Sequence, residues 1–388
     1  MKNTYKIFAA LFLLVGVWAC KKVFNPIITT TDHSFLVVEG VVNSGTDTTY
    51  IFLSRTIKLD SARHKPEEKA TVVVESDQSN RYPLTEVAQG KYMAINLNLP
   101  TDRKYRLHIV TAAGKEYLSD FVENKITPPI DSITYKPLTT GVQFYANAHD
   151  ATNKTRYYRW DYDETWTYQS AFTTNMYYDK GVMKFRTSDE LINICYKHAR
   201  PSNSVFIGST TKLAADVVSQ VPVGYVDSRS GKMFHKYSME LTQYALTPEA
   251  YTYWELLKKN TEQLGSIFDA SPSSSLTNIH AVNSEADVIG YVSVSTVSRK
   301  RIFVEGRDLP FGVSVNENPG CKEDTILFEP LDTYPERAER TFGKGDSIAT
   351  VVHARKPDGF RLGYVYSNKE CVDCRLKGGT NVKPPYWQ

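Results

Sequence analysis

The sequence lacks every short pattern that announces catalysis. Its eight histidines form no His-x-x-x-His or His-x-His pair, so the commonest zinc spacing is missing. No Gly-x-Ser-x-Gly elbow occurs, and the one stretch resembling a phosphate loop, Gly-Ser-Thr-Thr-Lys at 208–212, has its hydroxyls in the wrong order. These absences predict a non-catalytic protein with no metal and no cofactor. Excess charge is lacking too. With 46 Lys and Arg against 43 Asp and Glu, the formal net charge is only +3, which is no nucleic-acid footprint. Leu-rich helical periodicity is scarce while tyrosine is abundant, at 25 residues, and that balance favours sheets. No apolar run reaches the roughly 20 residues needed to cross a bilayer.

The longest apolar run stands at the N-terminus. Lys2 and Lys6 precede a stretch from Ile7 that ends in Leu11-Phe12-Leu13-Leu14-Val15-Gly16-Val17-Trp18-Ala19-Cys20. A spanning anchor would be longer, and a plain secretory signal would not need the cysteine directly after the small residue Ala19. The pattern predicts a lipoprotein signal peptide at 1–19, cleaved between Ala19 and Cys20, with lipid carried on the Cys20 sulfur. Trp18 is bulky for its place beside the cleavage point. Loss of Lys2 and Lys6 lowers the formal charge of the mature chain to +1. Lys21 and Lys22 follow Cys20 where an acidic residue would favour inner-membrane retention, so sorting to the outer membrane is expected, with the periplasmic face and the cell surface both open.

A chain of 388 residues exceeds one ordinary core and predicts at least two domains. Residues 20–32, with Pro26 and three consecutive threonines, read as a lipid-anchored tether. Short β-branched and apolar runs then recur at 35–42, 48–54, 70–75, 81–87, 90–97, 105–110 and 116–122, separated by turn residues. Seven such strands without a helix predict an immunoglobulin-like β-sandwich over 33–127. Pro128 and Pro129 mark a stiff junction, and a larger β-rich domain is expected over 131–388.

The strongest strand of that second domain is 157–168. Side chains alternate along a strand, so Tyr158, Trp160, Tyr162, Trp166 and Tyr168 share one face with Glu164, and Arg159, Asp161, Asp163, Thr165 and Thr167 share the other. Tyr158, Trp160 and Trp166 are candidates for a ligand platform for a glycan or peptide, although aromatic faces of this kind more often form a core. Glu164 on that face requires a partner if buried. Asp161 and Asp163 bear a faint likeness to a calcium loop but have no glycine or closing glutamate at the required spacing. One clear amphipathic helix is expected over 248–264, with Thr247 as cap, Pro248 in the first turn, and Ala250, Tyr251, Trp254, Leu257 and Leu264 on its apolar side.

Besides Cys20, the cysteines are Cys195, Cys321, Cys371 and Cys374, an even number in an exported chain, which predicts two disulfides. The Cys-x-x-Cys spacing at 371–374 also permits a redox pair or half a zinc site, but no helix pattern follows it and no second close pair exists. Closing long loops constrains the unfolded chain by about 3 to 5 kcal/mol. That favours pairing each of Cys371 and Cys374 with one of Cys195 and Cys321 over joining them to each other.

The stretches 157–166 (Tyr-Tyr-Arg-Trp-Asp-Tyr-Asp-Glu-Thr-Trp), 243–246 (Gln-Tyr-Ala-Leu), 254–269 (Trp-Glu-Leu-Leu-Lys-Lys-Asn-Thr-Glu-Gln-Leu-Gly-Ser-Ile-Phe-Asp), 288–291 (Val-Ile-Gly-Tyr) and the terminal Cys-Val-Asp-Cys-Arg-Leu resemble the Bacteroidota lipoprotein family called domain of unknown function 4249. The resemblance covers essentially the whole mature chain. It implies an outer-membrane lipoprotein, of a kind often encoded beside TonB-dependent transporters, and hence an accessory or ligand-binding subunit for nutrient uptake. The expected partners are membrane lipid through Cys20, a TonB-dependent transporter, and a glycan or peptide ligand. The alternative is a structural or assembly lipoprotein of the envelope that binds no nutrient.

Overall fold

A computed structural model describes residues 34–56, 65–201, 204–262, 277–282, 288–310, 318, 320–355 and 361–388. The signal peptide, Ala19, Cys20, the tether and the end of the helix at 263–264 lie outside the described residues. The fold is mainly β, as expected, and it is layered as three packed cores.

The first core is a two-layered sandwich. Leu36–Asn43, Thr49–Arg55 and Lys91–Ala94 make one layer, and Thr71–Ser76, Lys104–Val110 and Glu116–Ser119 make the other. Arg81–Ala88 joins them: residues 81–84 pair with the second layer and 85–88 with the first. Alternation sends Leu36, Val38, Ile51, Leu53, Val72, Val74, Leu107 and Ile109 into the space between the layers.

The expected boundary near residue 127 needs correction. Chain from the far side of the second domain returns to finish the sandwich. Ile279–Ala281 pairs antiparallel with Glu116–Ser119, while Val288–Gly290 and Ser293–Ser295 lie parallel to Leu36–Asn43. Val288, Val292 and Val294 belong to the first core. Nor is the Pro128-Pro129 junction a free spacer. Thr127 donates twice to Thr296, from its N–H to Oγ1 at 2.8 Å and from its hydroxyl to the backbone oxygen, and Ile130 N–H donates to Ser298 Oγ at 3.0 Å, so the outgoing and returning chains are tied together.

The second core lies between two sheets. Ile130–Leu138, Gly141–His149 and Val217–Asp227 form a three-stranded sheet. Facing it, Ile194–Ala199, Tyr157–Gln169, Lys236–Ala245 and Val297–Glu305 form a larger one, with Phe206–Ser209 also paired to Tyr157–Gln169. A third, small core packs Asp324–Leu327, Arg361–Asn368 and Ser347–Arg355 against a helix, Tyr334–Phe342, that sequence periodicity did not predict. Only Ala338 and Phe342, one turn apart, carry its buried side.

The expected helix is present as Pro248–Glu262. Ala250 N–H donates to Thr247 Oγ1 at 3.2 Å, which fits the capping role read from the sequence. The disulfides are Cys195–Cys374 and Cys321–Cys371, so each member of the Cys-x-x-Cys pair reaches a remote partner. One ties the third core to the large sheet of the second, and the other closes the third core itself.

Two measurements follow. Gly290 sits at φ +130°, and a Cβ there would collide with the backbone oxygen of Val38 across the parallel pair. Gly290→Ala should therefore cost about 2 to 3 kcal/mol by denaturant unfolding. Gly45→Ala, whose new Cβ meets only ordinary contacts, should cost less than about 1 kcal/mol. Non-reducing peptide mapping should return Cys195 with Cys374 and Cys321 with Cys371, and a Cys371–Cys374 peptide would contradict the fold.

Candidate functional site

The long strand Tyr157–Gln169 is launched from a tight turn. The Asp150 carboxylate accepts from the Thr152 hydroxyl and from the N–H groups of Thr152, Lys154 and Thr155, at 2.7 to 3.0 Å. Burial opposes ionisation of Asp150, but those four donors outweigh it and hold its carboxyl down at about 2.

From this start the two faces of the strand diverge. Tyr158 and Trp160 are fully buried, stacked with their rings 5.7 Å apart, and Trp166 is 9% exposed. They line the second core and do not form a ligand platform, because the facing three-stranded sheet covers their side. The polar handle of Trp160 is absorbed as well: its Nε1 donates to Gln243 Oε1 at 2.8 Å, and Gln243 Nε2 donates to Pro128 O at 2.9 Å.

Glu164 shares this face and is 1% exposed. It has the partners that burial demands. Lys232 Nζ donates to Oε1, and Tyr237 Oη donates to Oε2 at 3.0 Å. Burial first, and then the neighbouring carboxylate, push the Tyr237 hydroxyl well above its ordinary range, so it stays a proton donor. Lys232 also lies 4.8 Å above the Trp166 ring. The indole N–H of Trp166 is buried with no hydrogen-bond partner among the described residues.

The opposite face is polar and ordered in cross-strand rows. Asp163 lies opposite Glu240, which lies opposite Arg301, and Asp161 lies opposite Thr242, which lies opposite Arg299. Each carboxylate has an arginine partner: Asp161 has Arg159, Glu240 has Arg301 at 2.9 Å, and Asp163 has Arg200 at 3.8 Å, with the His198 ring 3.6 Å away. Asp161 and Asp163 are thus neutralised by protein cations, and no three acidic, histidine or cysteine residues gather into a metal site among the described residues.

Both ends of this face are closed. At one end the Arg159 guanidinium stacks 3.9 Å from the Trp254 ring of the helix, while Tyr253 of the same helix meets Tyr291 of the returning chain at 5.2 Å. At the other end the C-terminal segment folds back over the sheet. Thr380 bridges to Tyr196, Tyr386 Oη meets Thr165 Oγ1 at 2.9 Å, and the Arg301 guanidinium lies 3.7 Å from the Tyr386 ring. Trp387 is buried between Tyr196 and Phe303. The result is a bounded floor of paired charges, suited to hydrogen bonding with a polar partner. Sequence reasoning found Asp161 and Asp163 of this floor but missed Glu240, Arg301 and Tyr386, which strand register and the returning C-terminal segment bring together.

Removing Lys232 leaves a buried carboxylate with only Tyr237, so Lys232→Met should cost about 2 to 4 kcal/mol. Combining it with Glu164→Leu should cost less than the sum of the single changes, as denaturant titrations of the four proteins will show. For Asp150 the folded value lies below the ordinary one. Its contribution is therefore fully present above the ordinary value of 3.8 and is lost as pH falls toward about 2. Asp150→Asn should lower stability by about 2 kcal/mol at pH 7, and the gap should narrow toward pH 2.

No helix among the described residues is long and apolar enough to cross a membrane, a statement that does not extend to strands. No curated protein matches the sequence. Among solved structures, chitinase ChiA74 from Bacillus thuringiensis aligns at 12% identity with a TM-score of 0.15, covering 52% of this chain and 30% of the chitinase. The alignment thus spans less than a third of the chitinase, and a likeness this low carries no argument about fold or activity. The family model described as Domain of unknown function (DUF4249) matches residues 21–301, well over half of the sequence. The chain belongs to the DUF4249 family.

Proposed function

We propose that the mature chain is a lipid-anchored protein of the outer membrane, working as a non-catalytic accessory or ligand-binding subunit of a TonB-dependent nutrient transporter. The observation that carries this reading is the N-terminal export pattern ending at Ala19 and Cys20. Two features support it. The paired disulfides suit an oxidising compartment, and the bounded polar floor offers charged hydrogen-bonding groups. A glycan or peptide is the class of ligand such a surface recognises, through hydroxyl and amide groups.

The test joins two readouts on one strain. Radiolabelled palmitate should enter the wild-type protein and not Cys20→Ser, and affinity purification from detergent-solubilised membranes should return a TonB-dependent transporter. A labelled protein that brings down no transporter under any growth condition would favour a structural or assembly role in the envelope. An unlabelled wild-type protein would remove the anchor and the reading with it.

A further inference from the structure

The third core has an open sheet edge beside a pair of arginines. Asp324–Leu327 pairs with Arg361–Asn368 on one side, and among the described residues nothing pairs with its other side. Phe328 N–H donates to Leu362 O at 2.9 Å, which sets the phase of the ladder. Bonded residues alternate along an antiparallel pair, so Thr325 and Leu327 turn their backbone N–H and C=O groups outward. Thr325 N–H is partly engaged by Asp324 Oδ1 at 2.7 Å.

Along this edge lies a cleft of about 530 Å³ between the strand and the helix Tyr334–Phe342, with Thr325, Leu327, Arg337, Arg340 and Tyr366 in its walls. Arg337 and Arg340, three residues apart on the helix, face the same way. Arg337 donates from Nη2 to Pro330 O at 3.1 Å, while its Nε is buried without a partner among the described residues. Among the described residues Arg340 makes one long bond, 3.4 Å, from Nε to Glu336 O. A buried guanidinium N–H without an acceptor is costly, and an arriving carboxylate satisfies it. Glu329 also borders the cleft, but it is engaged with other groups of the chain.

We propose that this edge takes up an extended acidic segment of a partner protein as an added strand. Outward ladder groups at alternate residues accept a strand-shaped guest and set its register. The two arginines then select acidic side chains, which recur on one face of a strand every second residue. The proposal does not depend on the lipid anchor or on a transporter.

Fluorescence anisotropy tests it on the full mature chain. The probe is a labelled, end-capped peptide of alternating valine and glutamate, compared with its lysine counterpart and with a glutamate peptide N-methylated at alternate residues. The glutamate peptide should bind, and the lysine peptide, the N-methylated peptide and the Arg337→Glu, Arg340→Glu protein should each show at least about tenfold weaker binding. Because N-methylation alters only the probe, that comparison holds even if the double variant folds poorly. Equal binding of the N-methylated peptide, with competition by millimolar glutarate, would reduce the cleft to a small-anion site and overturn the proposal. Failure of the glutamate peptide to bind at all would overturn it as well.

Discussion

The structure depends on one strand pairing that closes far along the chain. Leu36–Asn43 buries Leu36, Val38 and Val42 on its inner side, but its outer edge is left unpaired until residues 288–295 return beside it. Unpaired hydrophobic edges invite association with other chains, and here the molecule covers its own. Gly290 lets the two backbones approach, and the threonine pair 127 and 296 ties the outgoing and returning chains at the point where they cross between cores. The ion pair of Arg299 with Asp47 joins the same two cores from the polar side.

That closure changes what the second unit is. It is an insertion between the strands of a sandwich rather than a domain appended to one, and its long helix lies where the two meet, with Tyr251 against Tyr157 and Tyr253 against Tyr291. The last segment of the chain is held in a comparable way. Cys374 is joined to Cys195 on the large sheet, and from there residues 380–387 run back across the polar face to bury Trp387. The floor of paired charges is therefore framed by the helix at one end and by the C-terminal strap at the other.

Much of this was legible in the sequence, for identifiable reasons. The first sandwich strands were readable because each alternates β-branched and polar residues over a run bounded by turn residues. The helix announced itself by Thr247, Pro248 and a spaced aromatic stripe, and Glu164 stood out because a carboxylate on an aromatic face must find a partner. The return of 288–295 was not legible as a pairing. Two three-residue strands carry too little pattern to reveal which edge they join, and a parallel partner has no turn to mark it. Tyr158, Trp160 and Trp166 read more readily as core than as platform, but alternation defines a face without saying what covers it. The cross-strand rows of the polar face were beyond reach because register, not sequence, places Glu240 and Arg301 beside Asp163.

A protein built this way presents one interlocked body to whatever it meets, and its partners must read surfaces assembled from distant parts of the chain. The most direct measurement of that claim is native-state hydrogen exchange resolved by peptide. If 288–295 is integral to the first core, the amides of 36–43 and 288–295 should share the same protection and open together as denaturant is raised. If 288–295 exchanges through low-energy local opening while 36–43 keeps its protection, the sandwich is complete without the returning chain and the account is wrong.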